Sequence, residues 1–503
     1  MRESVTLFIT TRQERLIDAL HDAHERAALE MQLPAYLQAQ RWFGGASRQL
    51  QSVQLERWVQ FEALNGAACL CVVFVTDTAG HETEHALLLY ADNTEREEHK
   101  DQRPVLDALG LPEVRAELIQ LAMEGGSRTG HRAELVFEPT NGTKSGCEGP
   151  GELMGVEQSN TSVRYDESCI LKVYRRLERG GNPEVELSHF LTTGTDFTAT
   201  PQVLSVGRVA SADGYSADIF AVQEWTPSQG DGWTWSVEAA RAAMDSAPDP
   251  EGVRAWLQND GAVLAAAADL GRITAHVHAA LASAVDDGLR PEPVAPADLD
   301  EWSQQVHQEA HDAADVIRAA HIQDSNLIAA TERAGSYAGR GLRVGAHGLG
   351  LKTRVHGDYH LGQVLKTDDG FAVLDFEGEP AKPLAERKRL QHPLVDVAGM
   401  VRSWSYAAYT AARESDAQAV LNNVEGFAQA WESEMRRSFL DAYWAAADEA
   451  AYLPRDEATR SALLILFELR KALYEVQYEL NNRPDWVEIP AGAVLRLTNN
   501  LPE

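Results

Sequence analysis

The chain is 503 residues long, 44% hydrophobic and 24% charged, and its formal net charge is −31. This length predicts two or three domains, and no run approaches the roughly 20 apolar residues that a membrane span needs. The negative charge argues against binding to nucleic acid or to an anionic membrane surface. The first residues lack the apolar core of a signal peptide. The four cysteines form no CxxC pair and no zinc spacing, so we expect a reduced, cytoplasmic protein.

The order of predicted elements divides the chain into three parts. Residues 1–138 begin with a helical pattern and continue with strand patterns, and the Gly-, Ser- and Thr-rich stretch 139–152 forms a boundary. Residues 153–227 contain short strands, whereas residues 228–503 are rich in alanine and helical in period, broken by strand patterns within 343–376. We therefore predict an α+β protein with an N-terminal subdomain, a small strand-rich subdomain and a helical lobe.

Polar side chains converge in VHGDYHLGQVL, residues 355–365, and in the DFEGEP that follows. The pattern predicts a hairpin, with Asp358 and Gln363 before it and Asp375 where its second strand leaves the core. The amide oxygen of Gln363 and the carboxylates of Asp375 and Glu377 make an all-oxygen set that suits Mg²⁺ carrying nucleotide phosphates. Asp358 would then accept a proton from a hydroxyl nucleophile.

Each of these residues also has a possible structural role. Asp358 and His360 could cap a turn, and Asp375 could pair with an arginine such as Arg387. Such a role is common for one residue, but four polar residues in this order favour a site for a metal and phosphates.

A phosphoryl-transfer site also needs groups that hold ATP. The chain has no GxxxxGK[ST], which excludes a P-loop. In protein kinases a strand lysine contacts the phosphates and pairs with a helix glutamate; here CILKVYRRL supplies Lys172 and NPEVELSHFL supplies Glu186. EQSNTS predicts a hairpin tip over the phosphates, and AVQEWTP predicts a hinge whose backbone binds an adenine edge. The further nucleotide-binding candidates are Ser159, Asn160, Thr161, Ser162, Gln223 and Glu224.

The motifs together resemble a known family. HGDxxxxQ followed by DFE resembles the aminoglycoside-phosphotransferase-like kinases, and the longer motifs resemble the bacterial maltokinase and glucosamine kinase group. These motifs are QRWFGG at 40–45, GVEQSNTSVRY at 155–165, ILKVYRRLERGGNPEVEL at 170–187, AVQEWTPSQGDGW at 221–233, the segment 375–408 and ELRKALYEVQYELNNRPDW at 468–486.

The resemblance implies a bilobal, protein-kinase-like fold, with a cap subdomain and a strand-rich subdomain in the N-lobe and a helical C-lobe. It also implies ATP as co-substrate and Mg²⁺ as cofactor. By position, Asp358 matches the family's catalytic base, and Gln363 and Asp375 match its metal ligands. Lys172 and Glu186 match its phosphate-gripping pair.

Two stretches depart from the maltokinase pattern, which has Asp-Leu after HG and Phe-Asp-Tyr-Ala after RS. Here the stretches are HGDY and RSWSYA, and both lie where the acceptor sugar is expected. The departures favour glucosamine phosphorylated at its 6-hydroxyl, with maltose phosphorylated at its anomeric hydroxyl as the alternative. The candidate acceptor-binding residues are Tyr359, His360, Asp396, Trp404, Ser405, Tyr409, Glu475 and Glu479. Asp396 could instead brace the catalytic loop.

Two other classes of function compete with a sugar kinase. A catalytically silent, kinase-like binding module would usually have lost part of the catalytic set, whereas this chain retains all of it. A hydrolase that uses the paired carboxylates gives Lys172 and Glu186 no role. The expected partners are therefore ATP and a small sugar, without nucleic acid or membrane.

Overall fold

The structure is a computed structural model. It describes residues 5–10, 12–13, 15–43, 48–63, 67–92, 101–140, 146–155, 160–339, 348–499 and 501. Ser159, one of the nucleotide-binding candidates, lies outside these ranges. The chain forms two compact units, residues 1–189 with 201–227 and residues 190–200 with 228–503. The further division of the first unit into a cap and a strand-rich subdomain stays a prediction.

The first unit is built mainly from strands. In chain order these are β1 Leu7–Thr10, β2 Leu50–Gln60, β3 Ala68–Asp77, β4 Glu82–Ala91, β5 Gln102–Asp107, β6 Gly126–Thr129, β7 Glu134–Pro139, β8 Glu152–Leu153, β9 Asn160–Tyr165, β10 Cys169–Tyr174, β11 Arg176–Leu177, β12 Val203–Ala210 and β13 Ser216–Glu224. The helices are α1 Leu16–His21, α2 Ala23–Ala39, α3 Pro112–Glu124 and the first half of α4 Pro183–Gly194. The strands form two antiparallel sheets, ordered β1-β5-β4-β3-β2 with β11 beside β4, and β6-β7-β12-β13-β10-β9-β8.

Strand β3 is apolar on both faces because it separates two cores. Successive side chains of a strand point to opposite faces. Cys69 and Cys71 pack into the core that contains Leu20 of α1. Leu70 and Val72 belong to the core that also includes residues of α3 and of the second sheet. Burial on both sides therefore explains why the sequence of this strand is a continuous apolar run.

The second unit is mainly helical, as the sequence predicts. Its helices are the second half of α4, α5 Gly232–Ser246, α6 Pro250–Asp260, α7 Ala262–Ala282, α8 Pro296–Ala319, α9 Ser325–Gly339, α10 Leu384–Arg387, α11 Leu394–Arg413, α12 Gln418–Leu421, α13 Val424–Ala446, α14 Glu457–Asn482 and α15 Glu488–Asn499. Its strands are β14 Glu292–Pro293, β15 Leu351–Lys352, β16 Val364–Thr367 and β17 Gly370–Val373. Helix α11 is buried on most of its surface because it packs against α5, α13 and α14.

The predicted hairpin is present, and it fixes the neighbourhood of the polar motif. Strands β16 and β17 pair antiparallel, with Val364 opposite Val373, across a two-residue turn. The backbone N–H of Leu374 donates to the carbonyl oxygen of Gln363 at 2.9 Å. Gln363 therefore lies at the base of the hairpin beside the residue that precedes Asp375.

Two of the four cysteines are joined in the structure. Cys147 and Cys169 form a disulfide with their Cα atoms 5.8 Å apart, whereas Cys69 and Cys71 are free and buried. The expectation of reduced cysteines is therefore wrong for one pair. Sequence spacing could not show this bond because the fold brings together residues that lie 22 positions apart.

No helix within the described ranges is long and apolar enough to cross a bilayer.

Gly271 allows helices α7 and α13 to pack closely. A Cβ atom at this position would overlap the carbonyl oxygen of Phe439, a backbone atom that cannot move independently of its helix. We expect Gly271→Ala to lower the free energy of unfolding by about 1–3 kcal/mol because overpacking displaces the backbone. Urea unfolding followed by circular dichroism measures this change.

Gly492→Ala is the matched control, since Gly492 is also a helical glycine. Its added Cβ would lie 3.4 Å from Arg496 Nη1, the end of a flexible side chain. We expect this variant to be unchanged or more stable by up to about 1 kcal/mol because alanine has the higher helix propensity. Equal stability changes in the two variants would contradict the packing argument.

Candidate active site

Lys172 is held by a buried carboxylate in the first unit. It lies in the middle of β10, and its Nζ is 2.6 Å from Glu184 Oε1. The hydroxyl of Tyr174 donates to the other oxygen of Glu184 at 2.8 Å. Both charged side chains are almost inaccessible to solvent, at 9% and 1% exposed. A buried lysine in such a pair presents a fixed positive charge, which is what a phosphate-binding group requires.

Lys172 has a partner that the sequence does not predict. The structure places Glu184, the second residue of α4, on the lysine, and the predicted role of Glu186 stays a prediction. Asn182 orients Glu184 because its side-chain oxygen accepts the backbone N–H of Glu184 at 2.8 Å. Residues two apart on a helix point about 200° away from each other, so the contact of Glu184 depends on the rotation of the helix.

Asn160, Thr161 and Ser162 begin strand β9, which forms an antiparallel hairpin with β8 whose last strand pair is Leu153 with Val163. They are buried and pair with β10 in a register that sets Ser162 opposite Lys172. Their expected place over the phosphates stays a prediction. Thr161 has a structural contact, because its hydroxyl accepts a hydrogen bond from Arg175 at 3.0 Å.

The predicted hinge lies at the end of strand β13. Gln223 is buried, and its side chain donates to Glu184 at 3.3 Å. The backbone N–H of Glu224 donates to the carbonyl oxygen of Gln202, and that of Trp225 donates to Ser168. These two N–H groups are therefore engaged within the first unit, and binding of an adenine edge by other backbone groups of 221–227 stays a prediction.

The loop that carries Asp358 is anchored by Asp396, near the N-terminus of α11. One oxygen of Asp396 accepts the backbone N–H of His356 at 2.8 Å, and the other accepts that of Gly357 at 2.9 Å. His278 of α7 lies 3.3 Å from the first oxygen. Asp396 therefore braces the loop that carries Asp358, as the second of its two predicted roles requires.

His356 connects this loop to the hairpin. Its Nε2 lies 2.7 Å from the carbonyl oxygen of Leu374, and its Nδ1 accepts the backbone N–H of Asp358 at 3.4 Å. These contacts assign the proton to Nε2. Because Leu374 precedes Asp375, one imidazole fixes the backbone at both aspartates.

Gln363 directly precedes the first strand of the hairpin, and Asp375 and Glu377 follow the second strand by two and four residues. Asp375 has φ of 56°, a left-handed conformation that is uncommon outside glycine and is often found at functional sites. The described residues contain no group of three or more His, Cys, Asp or Glu able to hold a metal. One or two carboxylates with an amide oxygen nevertheless fit Mg²⁺, which takes its remaining ligands from water and substrate phosphates.

A large cavity of about 670 Å³ opens beside Asp358 in the second unit. Of the predicted acceptor-binding residues, its lining includes Tyr359, His360, Asp396 and Glu475. The side chain of Asp358 is 23% exposed, and His360 Nε2 lies 3.8 Å from its carboxylate. Burial lowers the pKa of His360, although the charges of Asp358 and Asp375 oppose this effect.

Four of the predicted acceptor residues are not among the described residues that line the large cavity. Trp404 is fully buried and contacts the ring of Trp235, and the hydroxyl of Ser405 donates to Glu432 at 2.6 Å. Tyr409 is buried, and Glu479 binds Tyr406 and Arg483. The predictions for Trp404, Ser405 and Tyr409 as acceptor contacts are therefore wrong, because these side chains belong to the helical core. Glu479 contacts two residues that do line the large cavity, Tyr406 and Arg483.

Other lining residues were missed by the sequence predictions. Helices α11 and α14 contribute Gly399, Ser403, Tyr406, Phe467, Arg470, Lys471 and Tyr474. Their spacing of three, four and seven residues marks one face of each helix. That periodicity was visible in the sequence, but an inward polar face looks like the solvent-exposed side of an amphipathic helix.

Asp396 contributes a pH-dependent part of the stability. Burial raises its pKa, but the hydrogen bond with His278 and other favourable contacts outweigh this and hold the pKa below the ordinary 3.8. A lowered folded-state pKa stabilises the protein above the unfolded-state pKa, and this stability is lost as pH falls through the folded value. We expect Asp396→Asn to lower the free energy of unfolding near pH 7 by about 1–3 kcal/mol.

Urea unfolding of the wild type and Asp396→Asn between pH 7 and pH 3 measures this effect. The difference between them should stay constant down to about pH 5 and shrink below about pH 4. Asp287→Asn is the control, because the Asp287 side chain is 99% exposed. A difference that persists unchanged at pH 3 would show that the ionised carboxylate is not the stabilising group.

Comparison with known proteins identifies the family. Residues 36–108 match the maltokinase N-terminal cap domain. The chain is 31% identical over 354 residues to a glucosamine kinase of Streptacidiphilus jiangxiensis, covering 69% of this chain and 73% of that protein. It is 28% identical over 348 residues to a glucosamine kinase of Mycolicibacterium smegmatis, covering 67% and 77%.

Solved structures show the same fold. A glucosamine kinase in complex with glucosamine, ADP and inorganic phosphate aligns over 90% of this chain and 94% of that one, with a TM-score of 0.61 and 24% identity. Another crystal form of a glucosamine kinase aligns over 93% and 97%, with a TM-score of 0.63 and 23% identity. The predicted α+β, kinase-like fold is therefore confirmed. Since a relative more than 30% identical is matched over two thirds of its length, this chain belongs to the glucosamine kinase family.

Proposed function

We propose that this protein is an ATP-dependent sugar kinase that transfers the γ-phosphate to the 6-hydroxyl of glucosamine. The observation that carries the proposal is the large cavity beside Asp358, combined with membership of the glucosamine kinase family. Asp358 is partly exposed at the cavity wall, Asp396 fixes the backbone N–H groups of the two residues before it, and His356 accepts its own N–H. A carboxylate held in this way can orient a hydroxyl group and accept its proton.

The main task of the protein is to position the acceptor hydroxyl, and the loop that carries Asp358 does this. Phosphoryl transfer asks the protein mainly to align the nucleophile and to stabilise charge. Asp358 accepts the hydroxyl proton as the oxygen–phosphorus bond forms, and the bond to ADP breaks. Lys172, fixed by Glu184, contributes positive charge to the binding of the nucleotide phosphates.

Mg²⁺ is the expected cofactor. Gln363 and Asp375 would hold it at the base of the hairpin, and Glu377 is a candidate ligand for a second ion. When bound, Mg²⁺ neutralises negative charge on the phosphates. The left-handed backbone of Asp375 supports this role, because such conformations are often found at functional sites.

The charge of the large cavity supports a cationic acceptor. Six carboxylates line it against four Lys and Arg side chains, which leaves a net charge of −2 with histidine neutral. Burial works against ionisation of Glu379, but Lys382 and Lys471 hold its pKa below the ordinary value. An ammonium group on the sugar is favoured in such a field, whereas a neutral sugar gains nothing from it.

Maltose is the alternative acceptor. The match of residues 36–108 to the maltokinase cap domain favours it. A cavity of about 670 Å³ also has room for a disaccharide. The proposed partners are thus a small sugar and ATP, and we expect the protein to act in the cytoplasm.

ADP release with Mg·ATP and a panel of sugars tests the proposal. The panel contains glucosamine, N-acetylglucosamine, glucose, maltose and an aminoglycoside. We expect turnover with glucosamine, and a loss of about 10²–10⁴-fold in kcat for Asp358→Asn, because a general base contributes that much. Asp287→Asn should leave the rate unchanged.

Three results would change the proposal. Turnover with maltose but not glucosamine would make the protein a maltokinase. ATP binding without turnover on any sugar would favour a catalytically silent binding module. Full activity after removal of divalent cations by EDTA would exclude the proposed role of Mg²⁺.

The Lys172 contact predicts different effects for two glutamates on one helix. Glu184→Gln removes a charge-assisted contact, so we expect kcat/KM for ATP to fall by about 10–100-fold. Glu186→Gln tests the glutamate that the sequence predicts, and Asp287→Asn, whose side chain is 99% exposed, is the control that should leave kcat/KM unchanged. A larger loss for Glu186→Gln would show that Glu186 is the functional partner of Lys172 during catalysis.

A further inference from the structure

A buried histidine supports the loop that carries Asp358. His278 of α7 is completely buried, and its Nε2 lies 3.3 Å from Oδ2 of Asp396, the carboxylate that binds the loop backbone. It is not among the described residues that line the large cavity. We propose that His278 is a positioning residue, a buried imidazolium that holds Asp396 ionised and so keeps the backbone before Asp358 in place.

A chain of contacts runs through the imidazole ring. Its Nε2 faces Asp396, and its Nδ1 lies 3.0 Å from the hydroxyl of Tyr443 on α13. Tyr443 is hydrogen-bonded to Tyr452, whose hydroxyl donates to the carbonyl oxygen of Ala275 at 3.0 Å. The side chains in this chain of contacts are buried. It begins at an ionised carboxylate and ends at a carbonyl, and both of these groups only accept hydrogen bonds.

The number of protons available determines the state of the ring. Each of the four contacts needs one proton, and the two tyrosine hydroxyls supply one each. Burial raises the pKa of Tyr443 and of Tyr452, so both hydroxyls stay protonated. A neutral imidazole supplies one further proton and leaves one contact without any, whereas an imidazolium supplies two. The contacts therefore favour the doubly protonated ring.

The charge of Asp396 gives a second, independent reason. Its side chain is 1% exposed, and a buried carboxylate without a counter-charge is costly. Its ion-pair partner within the described ranges is His278. His356 cannot take this role, because its Nε2–H donates to the carbonyl oxygen of Leu374 and its Nδ1 accepts the N–H of Asp358, which makes its ring neutral. His278 therefore supplies the counter-charge.

A neutral His278 is the competing explanation. The hydroxyl of Tyr452 would then point to Tyr443, which would donate to Nδ1, and the carbonyl of Ala275 would lose a donor. Two oxygen atoms would face each other 3.0 Å apart with no proton between them. Asp396 would also keep its charge with only two backbone N–H groups and a neutral ring to offset it. An imidazolium avoids both penalties.

Helix α7 supports the loop on both sides of Asp358. Through Asp396, His278 acts on the N–H groups of the two residues before Asp358. The hydroxyl of Thr274, four residues before His278, lies 3.0 Å from that of Tyr359, the residue after Asp358. A displacement of about 1 Å at a reacting group can cost about 10²-fold in rate. The effect on the rate rests on the proposed function, whereas the charge of His278 does not.

The titratable groups that face His278 or its partner come from several elements. They are Asp396 of α11, Tyr443 of α13, His356 and Tyr359 of the loop that carries Asp358, and His392 and Tyr452. Burial raises the pKa of each of the three tyrosines and lowers that of His392 to about 3. Near neutral pH Asp396 is therefore the charged member of this set, and a change in the ring of His278 reports that ring itself.

Nuclear magnetic resonance of the full-length protein, labelled with ¹⁵N-histidine, tests the charge of the ring without turnover. His278→Gln identifies the signals of His278 by their loss. We expect two slowly exchanging ring N–H groups for His278 in the wild type at pH 7. A single ring N–H at this pH would overturn the proposal.

Tyr452→Phe changes the proton count with little change in packing. Once that hydroxyl is removed, Tyr443 is free to donate to Nδ1, so a neutral ring satisfies each remaining contact. As the pH is raised, the Nδ1–H signal of His278 should therefore disappear at a lower pH in Tyr452→Phe than in the wild type. Loss at the same pH in both proteins would contradict the proton count.

Amide hydrogen exchange and kinetics test the positioning role. In His278→Gln we expect faster exchange at the N–H groups of His356 and Gly357, which Asp396 accepts. We also expect kcat to fall by about tenfold or more, because a neutral contact replaces a charge-assisted one. The KM values for ATP and glucosamine should stay nearly the same. His276→Gln is the matched control, since His276 lies on the same helix and is exposed.

The outcomes separate this role from the proposed function. Unchanged amide exchange and an unchanged kcat in His278→Gln would overturn the positioning role. A higher KM in place of a lower kcat would also overturn it, because His278 would then act on substrate binding. An inactive wild type would contradict the proposed function alone, since the ring protons and the amide exchange are measured without turnover.

Discussion

The carboxylate of Asp396 is the contact on which the candidate catalytic loop depends. It accepts two consecutive backbone N–H groups, those of His356 and Gly357, and it is backed by His278 from another helix. A buried carboxylate that binds backbone donors in this way is rigid, since neither partner can rotate freely. Asp358 follows directly in the chain, so its position is set by a side chain nearly 40 residues later in the chain.

The same helix supplies part of the wall of the large cavity. One face of α11 carries Gly399, Ser403 and Tyr406, which line it. Gly399 is required at its position because a Cβ atom would lie 2.6 Å from the carbonyl oxygen of Tyr359. Helix and loop therefore approach closely enough for Asp396 to reach the loop backbone.

The first unit shows the same use of long-range contacts around Lys172. Strand β10 buries the lysine, and Asn182 holds the backbone of Glu184 so that its carboxylate meets the ammonium group. The hydroxyl of Tyr174 and the amide of Gln223 contact the same carboxylate. Shared partners of this kind make the ion pair part of the core of the unit rather than a surface feature.

The sequence by itself determined the order of strands and helices, the hairpin that positions Gln363 and Asp375, and the candidate base Asp358. These features follow from local periodicity, turn residues and short motifs, which act over a few residues. It also contained the helical spacing of the residues that line the large cavity. Periodicity alone does not show whether a polar face meets solvent or an internal cavity.

Only the tertiary structure decided that Glu184 meets Lys172, which residues of α11 face a cavity, and which cysteines join. Nothing in the local sequence distinguishes Glu184 as a partner, because its contact with the lysine depends on the rotation of α4. Trp404 and Ser405 looked like acceptor contacts because of where they lie in the motif, yet packing against α5 and α13 buries them. Contacts between distant residues depend on how elements pack together, and local sequence patterns do not encode that geometry.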